Sequence, residues 1–439
     1  MHNDIASHGK PTRRDFVKSS TAAAVAAAAA SSLVIPRSVH AAESNTLKVG
    51  LIGCGGRGGG AAVNALHADA NAKIVALGDM FKDRLETKLG ELKNSEVGDR
   101  VQVADEHKYS GWDAYKGVID VCDVVLLATP PHFRPLHVKA VIEAGKHCFC
   151  EKPVAVDAPG VRSVMETAAL AKTKNVSLVS GLCYRYDDVK REVIDDVHNG
   201  VAGEIRLLQH NYLTGGLWMN PRQKEWSDME WQLRNWLYFY WLSGDHIVEQ
   251  HIHSIDKMMW VMKDEPPVKV IATGGRVQRT SPEYGNIYDH FNTCFEWENG
   301  VRGLTCCRQF VQCSTDVSDY VYTEKGVVDI MNHKITMGET VKKRKPSKVN
   351  MYDAEHVALF KSIRDAKPIN NGDYMCKSTL AAIAARMSAY SGKTVTWDEA
   401  LNSKESYTPA QYAFGPLPVG PIVIPGVVPS AATAAKTHE

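Results

Sequence analysis

The stretch "SGDHIVEQHIHSIDKMMW", residues 243–260, carries three histidines and a carboxylate within eight positions. Read as one helix, it puts His246, Glu249 and His253 on one face at spacings of three and four, while Ile252, Ile255 and Met259 supply apolar packing. An imidazole titrates near pH 6.5, roughly, so a histidine there can take a proton from a substrate close to neutrality. Lys152, in "CFCEKP", adds a donor that can hydrogen-bond an oxygen and stabilise charge developing on it. His246 and His251 are weaker candidates than His253, because a histidine in a helix is more often packed than reactive. The same residues include plausible zinc or iron ligands. Proton transfer already accounts for them, and Cys148-x-Cys150 has no second pair at matching spacing, so no metal is expected.

Such groups need a scaffold, and the first half of the chain supplies one. "LKVGLIG" (47–53) is an almost continuous apolar run ending in glycine, followed by "CGGRGGGAAVNALHA", a turn that opens a helix. Gly53, Gly55 and Gly58 complete G-x-G-x-x-G at that junction, where backbone amides at a helix N-terminus can approach a pyrophosphate. A second strand, "AKIVALGD", ends in Asp79, 26 residues beyond Gly53, near the spacing at which a carboxylate meets the adenosine ribose hydroxyls. The carboxylate favours NAD over NADP by repelling a 2′-phosphate, although Lys82 leaves some NADP tolerance. "DVVLLAT", the run into Glu151-Lys152-Pro153, and "VSLVSGLCYRYD" read as further parallel strands of a doubly wound sheet. Thr129, Pro130, Glu151 and Lys152 then join the glycines and Asp79 as cofactor-side candidates. Tyr184, Arg185 and His246 are substrate-side candidates.

At these residues the chain resembles a known family. "AGKHCFCEKP" is similar to the AGKHVxxEKP segment of the Gfo/Idh/MocA oxidoreductases, and "ATPPHFRPLHVKAVIEAGKH" to the TPxxxH helix before it. "EHVALFKSIRDAKPINNGDYMCKSTLAAIAARMSAYSGKTVTWDEAL" is similar to the family's closing helices, so the resemblance spans nearly the whole mature chain. It implies an α/β Rossmann domain followed by an α+β domain whose open, mostly antiparallel sheet covers the nicotinamide end of the cofactor. "GEIRLLQHNYL", "VKVIATGGRV", "FNTCFEWENGVRGLTCCRQF" and "DYVYTEKGVVDIM" read independently as strands, with hairpin turns at 298–300 and 324–326. The expected boundaries are 46–170 for the NAD-binding domain, completed by 171–186 and helices near 376–391, and 187–375 for the substrate domain. The resemblance also implies a catalytic group of Lys152, His253 and a carboxylate four residues before the histidine. Glu249 stands where the family has Asp, and the extra methylene leaves three roles open: orienting His253, contacting substrate, or another.

The chain begins with a possible address. "PTRRDFVKSS" (11–20) places Thr12, Arg13, Arg14, Phe16 and Lys18 as a twin-arginine export signal does. The alanine-rich run that follows, Thr21 to Ile35, is shorter than the roughly 20 residues of a membrane span. Cleavage near Ala41 is expected, with the twin-arginine translocase as partner and the periplasm as destination. That route carries folded proteins, so NAD is expected to be loaded in the cytoplasm and held afterwards. The ten cysteines sit mainly in strand-like runs and read as buried thiols. A formal charge of +1, with both signs interspersed, gives no footprint for nucleic acid and suits a small neutral ligand. An aromatic insert, 214–243, carries Trp218, Trp226, Trp231, Trp236 and Trp241; core packing is expected for most, with one or two free for a sugar ring. The Pro/Gly/Ala-rich segment 416–439 reads as an extended tail that either wraps a neighbouring subunit or stays disordered. The expected activity is hydride transfer from a sugar, glycoside or polyol in a homo-oligomer formed through the open sheet. Redox-neutral glycoside hydrolysis and non-catalytic sugar binding are the alternatives.

Overall fold

Strands β1 (Leu47–Ile52), β2 (Ala72–Asp79), β3 (Lys108–Ser110), β4 (Val124–Leu127), β5 (His147–Cys150) and β6 (Leu178–Ser180) form a parallel sheet in the order β3-β2-β1-β4-β5-β6. The computed structural model describes residues 45–426; the export signal expected over 1–41 and the tail beyond Gly426 lie outside them. Both faces of this sheet are covered, which is why its strands read as continuous apolar runs. Alternation still sorts the side chains. Val124 and Leu126 join the core under helices Gly56–Ala68, Lys82–Lys93 and Met351–Arg364, while Val125 and Leu127 join the core under helices Ala114–Val121, Arg134–Glu143 and Ala158–Lys174. The strand order reverses between β1 and β4, so the loops after these strands open a crevice at their carboxyl ends.

The second sheet contains β7 (Ile205–Thr214), β8 (Lys269–Gly275), β9 (His290–Glu296), β10 (Arg302–Gln309), β11 (Asp316–Thr323), β12 (Val327–Asp329), β13 (Lys334–Met337), β14 (Thr340–Lys343) and β15 (Val395–Thr396). Its order is β14-β13-β12-β11-β7-β10-β9-β8-β15, and every pair is antiparallel except β7 with β10. One face packs on helix Ile252–Val261, closely enough that a Cβ at Gly303 would lie 2.4 Å from the Met258 sulfur. The other face is open and leaves Ile271 and Leu304 exposed. The Rossmann sheet with a second open sheet is the expected architecture. Helix Met351–Arg364, grouped by sequence with the second domain, packs instead on the first sheet through Leu359 and Phe360.

Two further differences bear on the site. The stretch 243–260 is not one helix: it breaks into His246–Glu249 and Ile252–Val261 at Gln250–His251. Here the amides of both Gln250 and His251 donate to the His246 carbonyl, which inserts an extra residue into the turn and rotates the faces apart. The tail also differs. Residues 403–426 have no helix or strand, and they run along this same chain, bonded to it at Asp157, Gln232, Tyr288 and elsewhere. With the aromatic insert the tail builds a third apolar cluster, in which Trp231 and Trp241 are buried and Trp236 half-buried, while Trp218 stays exposed.

Candidate active site

The glycine turn after β1 is built for close approach. Gly53 has φ +100°, and a Cβ there would stand 2.6 Å from the Ala128 backbone, so a side chain is excluded on both counts. A Cβ at Gly58 would collide with the Gly53 carbonyl at 1.9 Å, which fixes the packing of helix against turn. Gly55 is different: a Cβ there would meet nothing within 4 Å and would simply fill the open cradle. Asp79 closes the cradle from the end of β2, its two oxygens accepting the Cys54 amide at 2.7 Å and the Phe81 amide at 2.9 Å. Burial raises the Asp79 pKa, and those two amides oppose the rise. Gly53, Gly55, Asp79, Thr129 and Pro130 line one cavity together with Phe81 and Trp112. Arg134 pins its far wall by donating to the Thr129 carbonyl at 2.9 Å and to the Pro153 carbonyl at 2.5 Å. The open space at Gly55, the free approach to helix amides and the carboxylate at the ribose end fit NAD.

Lys152 follows β5 and reaches across to the second half of the chain. Its ammonium donates to the Glu249 carbonyl at 2.6 Å and to Glu249 Oε1 at 3.1 Å, with both side chains 15% exposed. The glutamate therefore engages the lysine, and no Glu249–His253 ion pair forms among the described residues. His253 lies edge-to-face with Tyr184, ring centroids 5.4 Å apart, and its Nδ1 has no partner. Burial holds the His253 pKa well below its usual value, and the cations of Lys152, Lys257 and Arg57 push it further down, against the opposing field of Asp319. The ring is thus neutral and able to accept a proton.

Beneath Tyr184 sits a cluster that sequence reasoning missed. The Lys257 ammonium is 3.8 Å from the Tyr184 ring centroid and 2.9 Å from Asp319 Oδ2, while His210 Nδ1 is 3.0 Å from Asp319 Oδ1. All three charged or titratable side chains are fully buried. Lys257 is four residues after His253 on one helix, a spacing visible in the sequence; its partner on β11 had no local signal. Arg57, inside the glycine turn, was also missed. It pairs with Glu151 and, at 3.0 Å, with Glu355. Burial first, then the neighbouring Glu151, raises the Glu355 pKa, and Arg57 opposes this.

Three expected contacts are placed elsewhere. Glu151 is 3% exposed and committed to Arg57, so it braces the glycine turn against the Lys152 loop instead of standing free in the crevice. Arg185 is buried between Trp260 and Tyr374 and bonded to Asp256 at 2.9 Å and Asp264 at 2.6 Å. Its guanidinium is a structural tie between the two halves. His246 is 1% exposed, packed on Phe291 and 3.1 Å from Asp245 Oδ1. The break at Gln250 separates it from His253. Asp245 itself has φ +74°, a strained value held by hydrogen bonds from the amides of His246 and Tyr288 and the hydroxyl of Tyr390.

Comparison with known proteins agrees with this fold. Residues 47–181 match the model of an "Oxidoreductase family, NAD-binding Rossmann fold", and residues 191–329 match a "GFO/IDH/MocA C-terminal domain". Inositol 2-dehydrogenase 3 of Saccharopolyspora erythraea is 31% identical over 287 residues, 64% of this chain and 72% of that protein. A protein of Shewanella named as glycosyl hydrolase family 109 protein 2 is 31% identical over 177 residues, covering 39% of this chain and 35% of that protein. In fold, the chain is similar to scyllo-inositol dehydrogenase of Lactobacillus casei, solved with NAD(H) and scyllo-inositol, with a TM-score of 0.61 and 18% identity over 80% of this chain and 99% of that one. A glycine cradle closed by an acidic residue, a lysine after β5 and a neutral histidine beyond it thus stand in a chain that belongs to the Gfo/Idh/MocA family of NAD-binding oxidoreductases.

Proposed function

We propose that the chain is an exported dehydrogenase of a sugar, glycoside or polyol, working in the periplasm with its NAD held as a resident group. The observation that carries this reading is Lys152, bonded to Glu249 across the junction of the two halves and close to a neutral, unpartnered His253. Bound NAD supplies the hydride acceptor. His253 takes the hydroxyl proton of the alcohol, and Lys152 donates a hydrogen bond to the oxygen as the carbon gives up hydride and the C–O bond becomes a carbonyl. Glu249 sets the direction of the lysine, and the hydroxyl of Tyr184 is available for a substrate hydroxyl. The inositol dehydrogenases among the relatives support a polyol or carbohydrate. Export through the twin-arginine translocase rests on Arg13 and Arg14, and a homo-oligomer on the open sheet face with Ile271 and Leu304.

Purified mature protein, given myo-inositol and a panel of aldoses and glycosides, should show nicotinamide reduction at the protein with no free NAD added. No absorbance change with any of them removes the dehydrogenase reading. A second reading, hydrolysis of a glycoside through transient oxidation, is favoured by the Shewanella glycosidase relative; it predicts free sugar released with no net reduction. Lysine at both Arg13 and Arg14 should trap the precursor in the cytoplasm, and undiminished export removes the localisation.

A further inference from the structure

The third apolar cluster contains no strand of either sheet. It joins the rim of the NAD cradle, the aromatic insert, the segment around Ile287 and the C-terminal tail, all far apart in the chain. Phe81, Trp112 and Phe133 line the cradle. Two tail rings pack on those same three side chains. Phe414 is 6.2 Å from Phe81 and 5.9 Å from Trp112 between centroids, and Tyr412 is 5.5 Å from Trp112 and 5.8 Å from Phe133. The Tyr412 hydroxyl is also 2.7 Å from His132 Nε2.

The tail is held in place along its length, although it has no regular structure of its own. The Met229 amide donates to the Gly415 carbonyl at 3.2 Å, Gln232 Nε2 to the Leu417 carbonyl at 2.6 Å, and the Leu417 amide to Asp228 at 3.2 Å. Further on, the Tyr288 hydroxyl donates to the Val423 carbonyl at 2.8 Å. Insert and tail therefore grip each other beside the cradle. An outward swing of Trp112 or Phe133 breaks contacts with Tyr412, and movement of Phe81 breaks those with Phe414. Aromatic pairs of this geometry contribute beyond their burial, so the rim and the tail hold each other in place.

The geometry points to residues 407–423 as a clasp on the adenosine end of the NAD site, supplied by the same polypeptide, that slows the release of bound NAD. The inference rests on the resident-cofactor reading above and adds its physical cause. Slower release is where most affinity differences between related complexes arise. Tyr412 and Phe414 are 37% and 50% exposed, so truncating them leaves the cores intact.

The test is an exchange measurement. Full-length protein is loaded with radiolabelled NAD, chased with excess unlabelled NAD, and sampled by filter binding. Tyr412→Ala with Phe414→Ala, and separately a chain ending at Ser403, should each release label at least tenfold faster, the factor equivalent to about 1.4 kcal/mol. Circular dichroism of both should match the parent. Ile424→Ala, on the part of the tail beside Gly274 and Tyr288, should leave the rate unchanged. Equal release rates in the double variant and the parent overturn the clasp while leaving resident NAD standing. Release within seconds from the parent itself overturns both.

Discussion

Replacing Lys257 by methionine should cost far more stability than replacing Lys257 and Asp319 together. The ammonium and carboxylate are 2.9 Å apart and both are fully buried. At an effective dielectric near 20, that separation corresponds to about 6 kcal/mol of attraction, and desolvation of the two ions offsets most of it. The pair as a whole is thus close to neutral for folding, but either ion alone is not. Lys257→Met leaves Asp319 buried with only the His210 contact, and Asp319→Leu leaves the ammonium with only the Tyr184 ring; each should lose about 3–5 kcal/mol. The double variant, an apolar pair of similar volume, should fall within about 1 kcal/mol of the parent or exceed it. Urea denaturation of the four proteins closes the cycle, and the coupling should persist at high salt because the pair is buried. A selective carbon-labelled histidine spectrum gives the functional half. Lys257 lowers the His253 pKa and Asp319 raises it, so Lys257→Met should move the His253 titration up and Asp319→Asn should move it down. Additive stability losses, or His253 shifts of the same sign in both variants, would refute the account of this cluster as an electrostatic support for the histidine.

Lys152→Met and His253→Asn should each slow single-turnover hydride transfer by about 10²–10⁴-fold with NAD still bound; near-parental rates in stopped flow would remove the assigned role. Asp79→Ala should shift the ratio of NAD to NADP affinities toward NADP, measured by titration of nucleotide-free protein, and an unchanged ratio means that Asp79 is not the ribose contact. Acid should destabilise the fold before carboxylates protonate. Burial holds His132 and His356 down at about 4 and His137 and His251 at about 3, so the unfolded chain takes up protons that the native state refuses. Their stabilisation is fully present above about pH 6.5 and is lost as pH falls toward 4, by up to about 1.4 kcal/mol per pH unit for each histidine. Flat urea midpoints between pH 7 and 5 would contradict this.

How much of this could be read in the sequence depended on the range of the interaction. The Rossmann sheet was legible because period, glycine spacing and the acidic residue ending β2 are local, and Gly53, Gly55, Gly58, Asp79, Thr129 and Pro130 do line or shape one cradle. Lys152 and His253 stood out in the sequence by type and position, and the structure brings them beside Glu249 and Tyr184 respectively. What failed was geometry set by tertiary packing. The 243–260 stretch breaks at Gln250–His251, where two amides share the His246 carbonyl, and its first turn starts at an Asp245 tied down by Tyr288 and Tyr390, from elements far along the chain. Arg185 could not be known to face Asp256 and Asp264 until two helices met. The tail, rich in proline and glycine, lacks any periodic signal, and its position is fixed by partners on the insert. Low periodicity leaves no local mark of an anchorage within the same chain.

The ion pairs around the crevice have a consequence for what can enter it. Lys152 is matched by Glu249, Lys257 by Asp319, and Arg57 by Glu151 and Glu355. Each of these three cations already has its counter-charge inside the protein, so none of the three is left to neutralise a phosphate or carboxylate arriving with a substrate. A phosphorylated sugar or a sugar acid would have to displace a native partner and leave a carboxylate stranded in a poorly solvated wall, which costs several kcal/mol, roughly. An uncharged polyhydroxy compound meets no such penalty, because its hydroxyls can share donors and acceptors without upsetting the balance. The proposed dehydrogenase should therefore discriminate by charge before it discriminates by shape.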